Sequence, residues 1–302
     1  MSSADFQPGP EFFDQIPPSE DPSERRTLII GPFMVHLEGI SNHLLPALDD
    51  HFKGFVEKGL DGNGLRLPVR WAGIPHFLDP RGDWRRTCVQ RAIDDRIFVY
   101  GHYFAAWFAP AGAAGMMVVC RAGWMGLRVP LEILLRVHCA WRAIESDGFL
   151  LHAASIVRDG RAFVFFGHSG AGKTTVSKLS RGSGFILSDD ITLITREGNE
   201  HRAHSVPFRG PDRQRVIEER RTYPLAGLYH LVQAPRTRLE RLPQARAVGA
   251  VLSCLPFVTE RLLPREPVEM MSHLDRALRQ IPVFRLEFTR SAEFWESVLA
   301  SV

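Results

Sequence analysis

The sequence predicts an α/β protein in which a domain built around a glycine-rich loop, residues 148–302, follows a smaller mixed α/β region, residues 26–147. Three observations lead to this prediction. Apolar runs of strand length alternate with stretches of helical periodicity, the glycine-rich loop lies between a strand pattern and a helix pattern, and further apolar runs after the loop are suited to complete one sheet. With 45% hydrophobic residues, the chain of 302 residues can bury a full core.

Residues 1–25 are rich in proline, serine and acidic side chains, which is typical of a disordered tail. They lack the basic start and the apolar run of a secretory signal. Phe6, Phe12, Phe13 and Ile16 offer an alternative, a short docking segment.

Helices and strands are predicted on both sides of the loop. Residues 43–56 predict an amphipathic helix that Pro46 interrupts early, and residues 131–144 predict a helix with an apolar stripe. Strands are predicted at residues 27–37, 96–108, 115–120 and 225–232, and residues 272–288 predict a helix followed by a strand.

Composition bounds the partners and the location. The formal net charge of +3 is too small to indicate nucleic acid, so the arginine clusters at 81–86 and 209–221 are interpreted as solvated faces or phosphate contacts. Residues 103–120 carry no charge, but their central proline and glycines favour a turn between buried strands over a membrane helix. The four cysteines lie far apart, so their spacing does not indicate a disulfide framework. Free cysteines favour a location in the reducing cytoplasm.

The loop at Gly167–Thr174 matches G-x-x-x-x-G-K-[ST], in which backbone N–H groups surround phosphates, lysine reaches the β- and γ-phosphates and the hydroxyl binds Mg²⁺. The preceding residues 161–166 predict a buried strand, and residues 172–182 predict a helix whose N-terminal dipole favours phosphate. The candidate nucleotide-binding residues are Gly167, His168, Ser169, Gly170, Ala171, Gly172, Lys173, Thr174 and Thr175.

Two acidic residues follow the loop. Residues 185–194 predict the next strand, with Asp189 and Asp190 embedded in it. Adjacent carboxylates in an apolar strand are costly to bury unless a cation meets them, so the pair points to a functional site.

A histidine precedes the loop. Asp159-Gly160 between two apolar runs predicts a two-residue hairpin turn. This register sets His152 opposite Gly167, at the mouth of the loop, although a histidine packed at a strand end is the alternative.

Together these residues resemble the catalytic domain of the HPr kinase/phosphorylase family, relatives of the ATP-dependent phosphoenolpyruvate carboxykinases. In that family a histidine-containing strand, a loop of the type G-x-S-G-x-G-K-[ST], a short helix and an Asp-Asp pair follow one another. The counterparts here are "LLHAA" with His152, "GHSGAGKTT" and "LSDD", within residues 148–194. The resemblance implies a P-loop domain of the HPr kinase/phosphoenolpyruvate carboxykinase type.

The resemblance also implies a role for each matching residue. Lys173 would hold the phosphates of ATP, and Thr174 would bind Mg²⁺ with assistance from Asp189. Asp190 would accept the proton of the substrate hydroxyl, and His152 would lie in the site. The family's downstream glutamate and arginine have no secure counterparts.

The expected activity is an ATP- and Mg²⁺-dependent kinase that phosphorylates a hydroxyl, above all a serine of a protein or peptide. Arg209 is a candidate phosphate contact. The alternatives are a small-molecule kinase and a non-catalytic ATP-binding assembly or regulatory factor. Neither nucleic acid nor a membrane is an expected partner, and homo-oligomerisation is left open.

Overall fold

The computed structural model describes residues 9–17, 24–78, 89–110, 113–208, 219–256 and 267–302. The chain divides into two compact units, residues 1–138 and 139–302. Both units are mixed α/β structures, and each is built on a large sheet. The predictions for residues 81–86 and for Arg209 lie outside the described residues.

The first unit is dominated by antiparallel strands. Its elements are α1 (Pro10–Gln15), β1 (Arg26–Ile30), β2 (Phe33–Glu38), a 3-10 helix (Asn42–Leu44), α2 (Leu45–His51), β3 (Val56–Lys58), β4 (Leu65–Trp71), β5 (Val89–Ile93), β6 (Arg96–Gly101), β7 (Phe104–Phe108), β8 (Gly115–Val119) and the first part of α3 (Gly123–Glu145). The strand order is β3-β1-β2-β4-β8-β7-β6-β5. The parallel pairs β2–β4 and β4–β8 join two antiparallel groups.

Some predictions for this unit are wrong in extent. Residues 27–37 form the hairpin β1–β2 instead of one strand, because the chain reverses at Gly31. The helix predicted over 43–56 ends at His51, and its last residue, Val56, begins strand β3, which pairs with β1. The uncharged stretch 103–120 forms the antiparallel strands β7 and β8, as predicted.

The prediction of a disordered tail is wrong for helix α1. Phe13 is fully buried, and its ring lies 5.7 Å from that of Phe98 between centroids. Phe12 packs edge-on against Phe77, and the Arg70 guanidinium donates a hydrogen bond to the Ile16 carbonyl. Burial of these aromatic rings offsets the entropy of ordering the segment, so the alternative of a docking segment fits these residues.

The second unit carries the glycine-rich loop. Its elements, besides the end of α3, are β9 (Phe149–Arg158), β10 (Arg161–Phe166), α4 (Lys173–Leu179), β11 (Phe185–Ser188), β12 (Ile191–Glu197), β13 (Glu200–His204), β14 (Thr222–Gln233), β15 (Arg238–Arg241), α5 (Gln244–Leu252), α6 (Pro267–Leu278), β16 (Val283–Phe288) and α7 (Phe294–Leu299).

Two long strands organise this unit. Strand β14 runs parallel to both β10 and β16, while β9 lies antiparallel to β10. Strands β12 and β13 connect β9 to the start of β14 in a smaller antiparallel sheet. The structure confirms the strands predicted at 161–166 and 225–232 and the helix and strand predicted within 272–288. The three strands share one sheet, as expected.

Strand β10 is buried on both faces. Ala162, Val164 and Phe166 belong to a core cluster that also contains residues of α5 and α6. Phe163 and Phe165 belong to a second cluster, with residues of α4 and α7. The apolar run at residues 161–166 therefore reflects a strand that is covered on each side.

The predicted hairpin register is confirmed. Arg161 pairs with Arg158 and Phe166 with Ala153, so the turn contains two residues, Asp159 and Gly160. Both have positive φ, of 50° and 73°, as a type I′ turn requires.

The single strand predicted at residues 185–194 is interrupted at the aspartates. Residues 185–188 form β11 and residues 191–197 form β12, and both pair with β9. The register shifts between Ile186 and Ser188, and the Ser188 hydroxyl donates a hydrogen bond to the Ile191 carbonyl. This local irregularity places Asp189 and Asp190 in a bend between the two strands.

Of the helices that the structure describes, none has both the length and the apolar character needed to cross a bilayer.

A buried histidine joins three strands of the smaller sheet. His204 Nε2 lies 2.7 Å from the Thr195 hydroxyl and Nδ1 lies 2.9 Å from the Thr222 hydroxyl. Burial lowers the pKa of His204 to about 4, and the nearby Arg202 charge acts in the same direction. The folded protein therefore holds the neutral imidazole.

His204 should make stability depend on pH. The pKa of His204 in the folded protein lies below its value in the unfolded chain. Its contribution to the free energy of unfolding is therefore complete above about pH 6.5 and is lost as the pH falls towards 4. The expected loss is on the order of 2 kcal/mol at pH 5 relative to pH 8. Urea unfolding of wild type and His204→Gln at both pH values measures it, and equal pH dependence in the two proteins would contradict the assignment.

Candidate active site

The glycine-rich loop connects the end of β10 to the start of α4. Gly172 precedes the helix with φ of 115°, a conformation that residues with a side chain rarely adopt. A Cβ atom at Gly172 would lie 2.5 Å from the Phe288 ring. Both the backbone angle and the close approach of Phe288 therefore require glycine.

Lys173, the first residue of α4, folds back over the loop. Its ammonium donates hydrogen bonds to the carbonyls of Gly167 and His168, at 2.7 and 3.3 Å. Burial lowers the pKa of Lys173, whereas the nearby Cys254 and Asp190 act in the opposite direction. Since an ammonium has three donors, one N–H of Lys173 has no hydrogen-bond partner among the described residues.

The predicted histidine and the second aspartate lie together. His152 Nδ1 is 3.6 Å from Asp190 Oδ1, which is ion-pair distance but too long for a direct hydrogen bond. The Asp190 side chain is 22% exposed and that of His152 is 40% exposed, so solvent reaches both. Asp190 also acts to raise the pKa of Lys173, against the effect of burial.

Strand pairing explains this convergence. His152 lies opposite Ile191 across β9 and β12, and the next residue, Ala153, donates its N–H to the Asp190 carbonyl at 3.0 Å. Ala153 also pairs with Phe166, the last residue of β10 before the loop. Strand β9 therefore brings the histidine, the aspartates and the loop to one end of the sheet.

The remaining predicted residues lie around this centre. Thr174 is exposed on the first turn of α4, Thr175 is partly buried beside it, and Asp189 is partly buried in the bend. The loop residues His168, Ser169 and Gly170 are exposed. Within the described part of the chain, no group of three or more His, Cys, Asp or Glu side chains is placed to hold a metal ion.

Two residues of this region were missed by sequence reasoning. The Gln233 side-chain amide donates a hydrogen bond to the Gly170 carbonyl at 2.7 Å, and the Cys254 carbonyl accepts the His152 N–H at 3.1 Å. A polar residue that ends an apolar strand is a usable signal for Gln233. Cys254 had no such signal, because only tertiary packing brings the end of α5 to β9.

A model of one protein family matches residues 129–301, more than half of the chain, and is described as SynChlorMet cassette protein ScmC. The chain belongs to the ScmC family. Among solved structures, the HPr(Ser) kinase/phosphatase from Coxiella burnetii is 12% identical, with 50% of this chain and 91% of that chain covered and a TM-score of 0.27. A TM-score this low does not establish a common fold. Among curated proteins, no sequence matches the chain.

The loop glycines of this ScmC-family protein should differ in tolerance to alanine. Gly170 has φ of 82° but open space at its Cβ position. Gly170→Ala should therefore lower the free energy of unfolding by only about 1–2 kcal/mol, through backbone strain. Gly172→Ala should lower the free energy of unfolding by about 1–3 kcal/mol more than Gly170→Ala does, because the new methyl group meets the Phe288 ring. Urea unfolding of both variants tests this; equal losses would contradict the close packing of Gly172 on Phe288.

Proposed function

We propose that the protein is an ATP- and Mg²⁺-dependent phosphotransferase that transfers the γ-phosphoryl group of ATP to a hydroxyl, with the loop at residues 167–174 as its phosphate-binding P-loop. The observation that carries the proposal is that the Asp190–His152 pair lies at the end of the sheet where β10 leads into the loop and Lys173. A cation for phosphate and a carboxylate beside a histidine are the groups that phosphoryl transfer to a hydroxyl requires.

Lys173 supports the phosphate-binding role. Its ammonium is anchored over the loop by two carbonyls and keeps one N–H for a ligand. Burial of this charge is unfavourable without compensation, as its lowered pKa indicates. An anionic phosphate beside Lys173 would supply that compensation.

Asp190 is the proposed general base. It would accept the proton of the acceptor hydroxyl while the hydroxyl oxygen bonds to the γ-phosphorus and the bond to the ADP oxygen breaks. His152 is a positioning residue in this proposal, since its imidazole lies 3.6 Å from the Asp190 carboxylate. Partial exposure of both side chains leaves room for an acceptor.

The donor set at this end of the sheet fits Mg²⁺. Magnesium in phosphotransferases is held by one or two protein oxygens together with substrate phosphates and water. The exposed Thr174 hydroxyl and the partly buried Asp189 carboxylate would be these protein ligands. Bound there, the ion would neutralise charge on the β- and γ-phosphates.

We propose a serine of a protein or peptide as the acceptor, with a small-molecule hydroxyl as the alternative. The proximity of His152 and Asp190 favours a catalytic protein over a non-catalytic ATP-binding factor, because phosphate binding alone does not need this pair. Cytoplasmic location remains part of the proposal.

ATP with Mg²⁺ should raise the melting temperature of the wild-type protein, because a ligand that binds only the native state stabilises it. Lys173→Ala should remove most of this shift. Lys178→Ala is the matched control, since Lys178 is an exposed lysine on the same helix. An unchanged shift in Lys173→Ala, measured by differential scanning fluorimetry, would refute the loop assignment.

The two aspartates should separate binding from transfer. Asp189→Asn should weaken Mg²⁺-dependent nucleotide binding, whereas Asp190→Asn should keep binding and slow transfer by about 10²–10⁴-fold. Nucleotide affinity and ADP formation are measured with a panel of serine peptides and small hydroxyl compounds.

The exposed Asp159, in the hairpin turn, supplies the control variant Asp159→Asn. Wild-type rates of ADP formation in Asp190→Asn would rule out Asp190 as the base. Tight ATP binding by wild type without transfer to any acceptor would favour the non-catalytic alternative.

A further inference from the structure

A second feature lies beside the loop. A cavity of about 370 Å³ is lined by two short segments, residues 233–235 after β14 and residues 288–290 at the end of β16, together with Thr175. Its volume falls near the lower end of the range of about 300–1,000 Å³ that is typical of small-molecule sites. The cavity is therefore large enough to hold a small molecule or one part of a larger ligand.

Topology places the cavity at the same sheet edge as the loop. Strands β10, β14 and β16 are parallel, so their carboxyl ends share one edge. The loop follows β10, and the cavity segments follow β14 and β16. In sheets of this kind, ligands bind in the crevice outside the carboxyl ends of the strands.

Direct contacts connect the cavity wall to the loop. The Gln233 side chain donates its hydrogen bond to the Gly170 carbonyl. On the other side, Phe288 lines the cavity and occupies the space that a Cβ at Gly172 would need. The Ala234 N–H donates to the Phe288 carbonyl at 3.1 Å and holds the two segments together. The cavity wall and the loop are therefore in direct contact.

The lining suits a flat group with a polar rim. Ala234, Pro235 and Phe288 supply apolar surface, whereas Thr289 and Thr175 supply hydroxyls. At the rim, Arg290 is exposed and makes no ion pair within the described part of the chain. Apolar walls with a few polar groups are typical of small-molecule sites, and an exposed guanidinium at the rim favours a ligand that also carries an anionic group.

We propose that this cavity binds the base and ribose of the nucleotide whose phosphates occupy the loop. The inference rests on the proposed function, and it adds that ATP affinity depends on residues 233–235 and 288–290, which lie outside the glycine-rich motif. The ligand class is a nucleoside triphosphate, with the nucleoside held by the cavity and the triphosphate by Lys173 and the loop.

Inorganic tripolyphosphate separates the two parts of the site, because it carries the phosphates without the nucleoside. Wild type should bind ATP more tightly than tripolyphosphate. Ala234→Trp fills the cavity and should weaken ATP binding by about tenfold or more while changing tripolyphosphate binding by less than about twofold. Isothermal titration calorimetry in the presence of Mg²⁺ measures both ligands with each protein.

A matched control is available at the opposite edge of the sheet. Asn199 lines a second cavity, of about 480 Å³, so Asn199→Trp places the same side chain in a site that the proposal does not use. Asn199→Trp should leave both affinities unchanged. If Ala234→Trp does not fold, Thr289→Trp fills the same cavity from the residue after β16 and carries the test.

The outcomes distinguish this inference from the function on which it rests. Unchanged ATP affinity in both cavity variants, or equal weakening of ATP and tripolyphosphate, would overturn the nucleoside site and leave the P-loop proposal standing. If wild type binds neither ATP nor tripolyphosphate, both the nucleoside site and the P-loop proposal are overturned.

Discussion

The second unit depends on one constraint: strand β10 has no face open to solvent. Its alternate residues enter two separate cores, so the strand is fixed between helices on each side. The chain that leaves β10 must then turn into α4 against Phe288, which excludes a side chain at Gly172. The shape of the loop is thus set by packing of the sheet beneath it, before any ligand is considered.

Electrostatics follows from the same packing. Lys173 is drawn over the loop, where burial disfavours its charge and the loop carbonyls and Asp190 partly compensate. The bend between β11 and β12 keeps the aspartates out of regular pairing while both flanking strands stay attached to β9. The start of α4 and the bend between β11 and β12 therefore hold the cation and the carboxylate at the same end of the sheet, an arrangement suited to a pre-organised site.

Local patterns predicted much of this unit because its decisive features are local. The Asp159-Gly160 turn fixed the β9–β10 register, and the apolar run at 161–166 identified the central strand. The break at Asp189 was missed because it arises from a register shift against β9, a partner distant in sequence. Gln233 and Cys254 were missed for a similar reason: their places beside the loop and His152 are created only by tertiary pairing.

A crystal structure with Mg²⁺ and a non-hydrolysable ATP analogue tests the central claim most directly. We predict that the triphosphate lies along residues 167–174, with the Lys173 ammonium on the β- and γ-phosphates and the γ-phosphate facing Asp190. A triphosphate bound elsewhere, or a γ-phosphate directed away from Asp190 with Lys173 still bonded only to the Gly167 and His168 carbonyls, would contradict it.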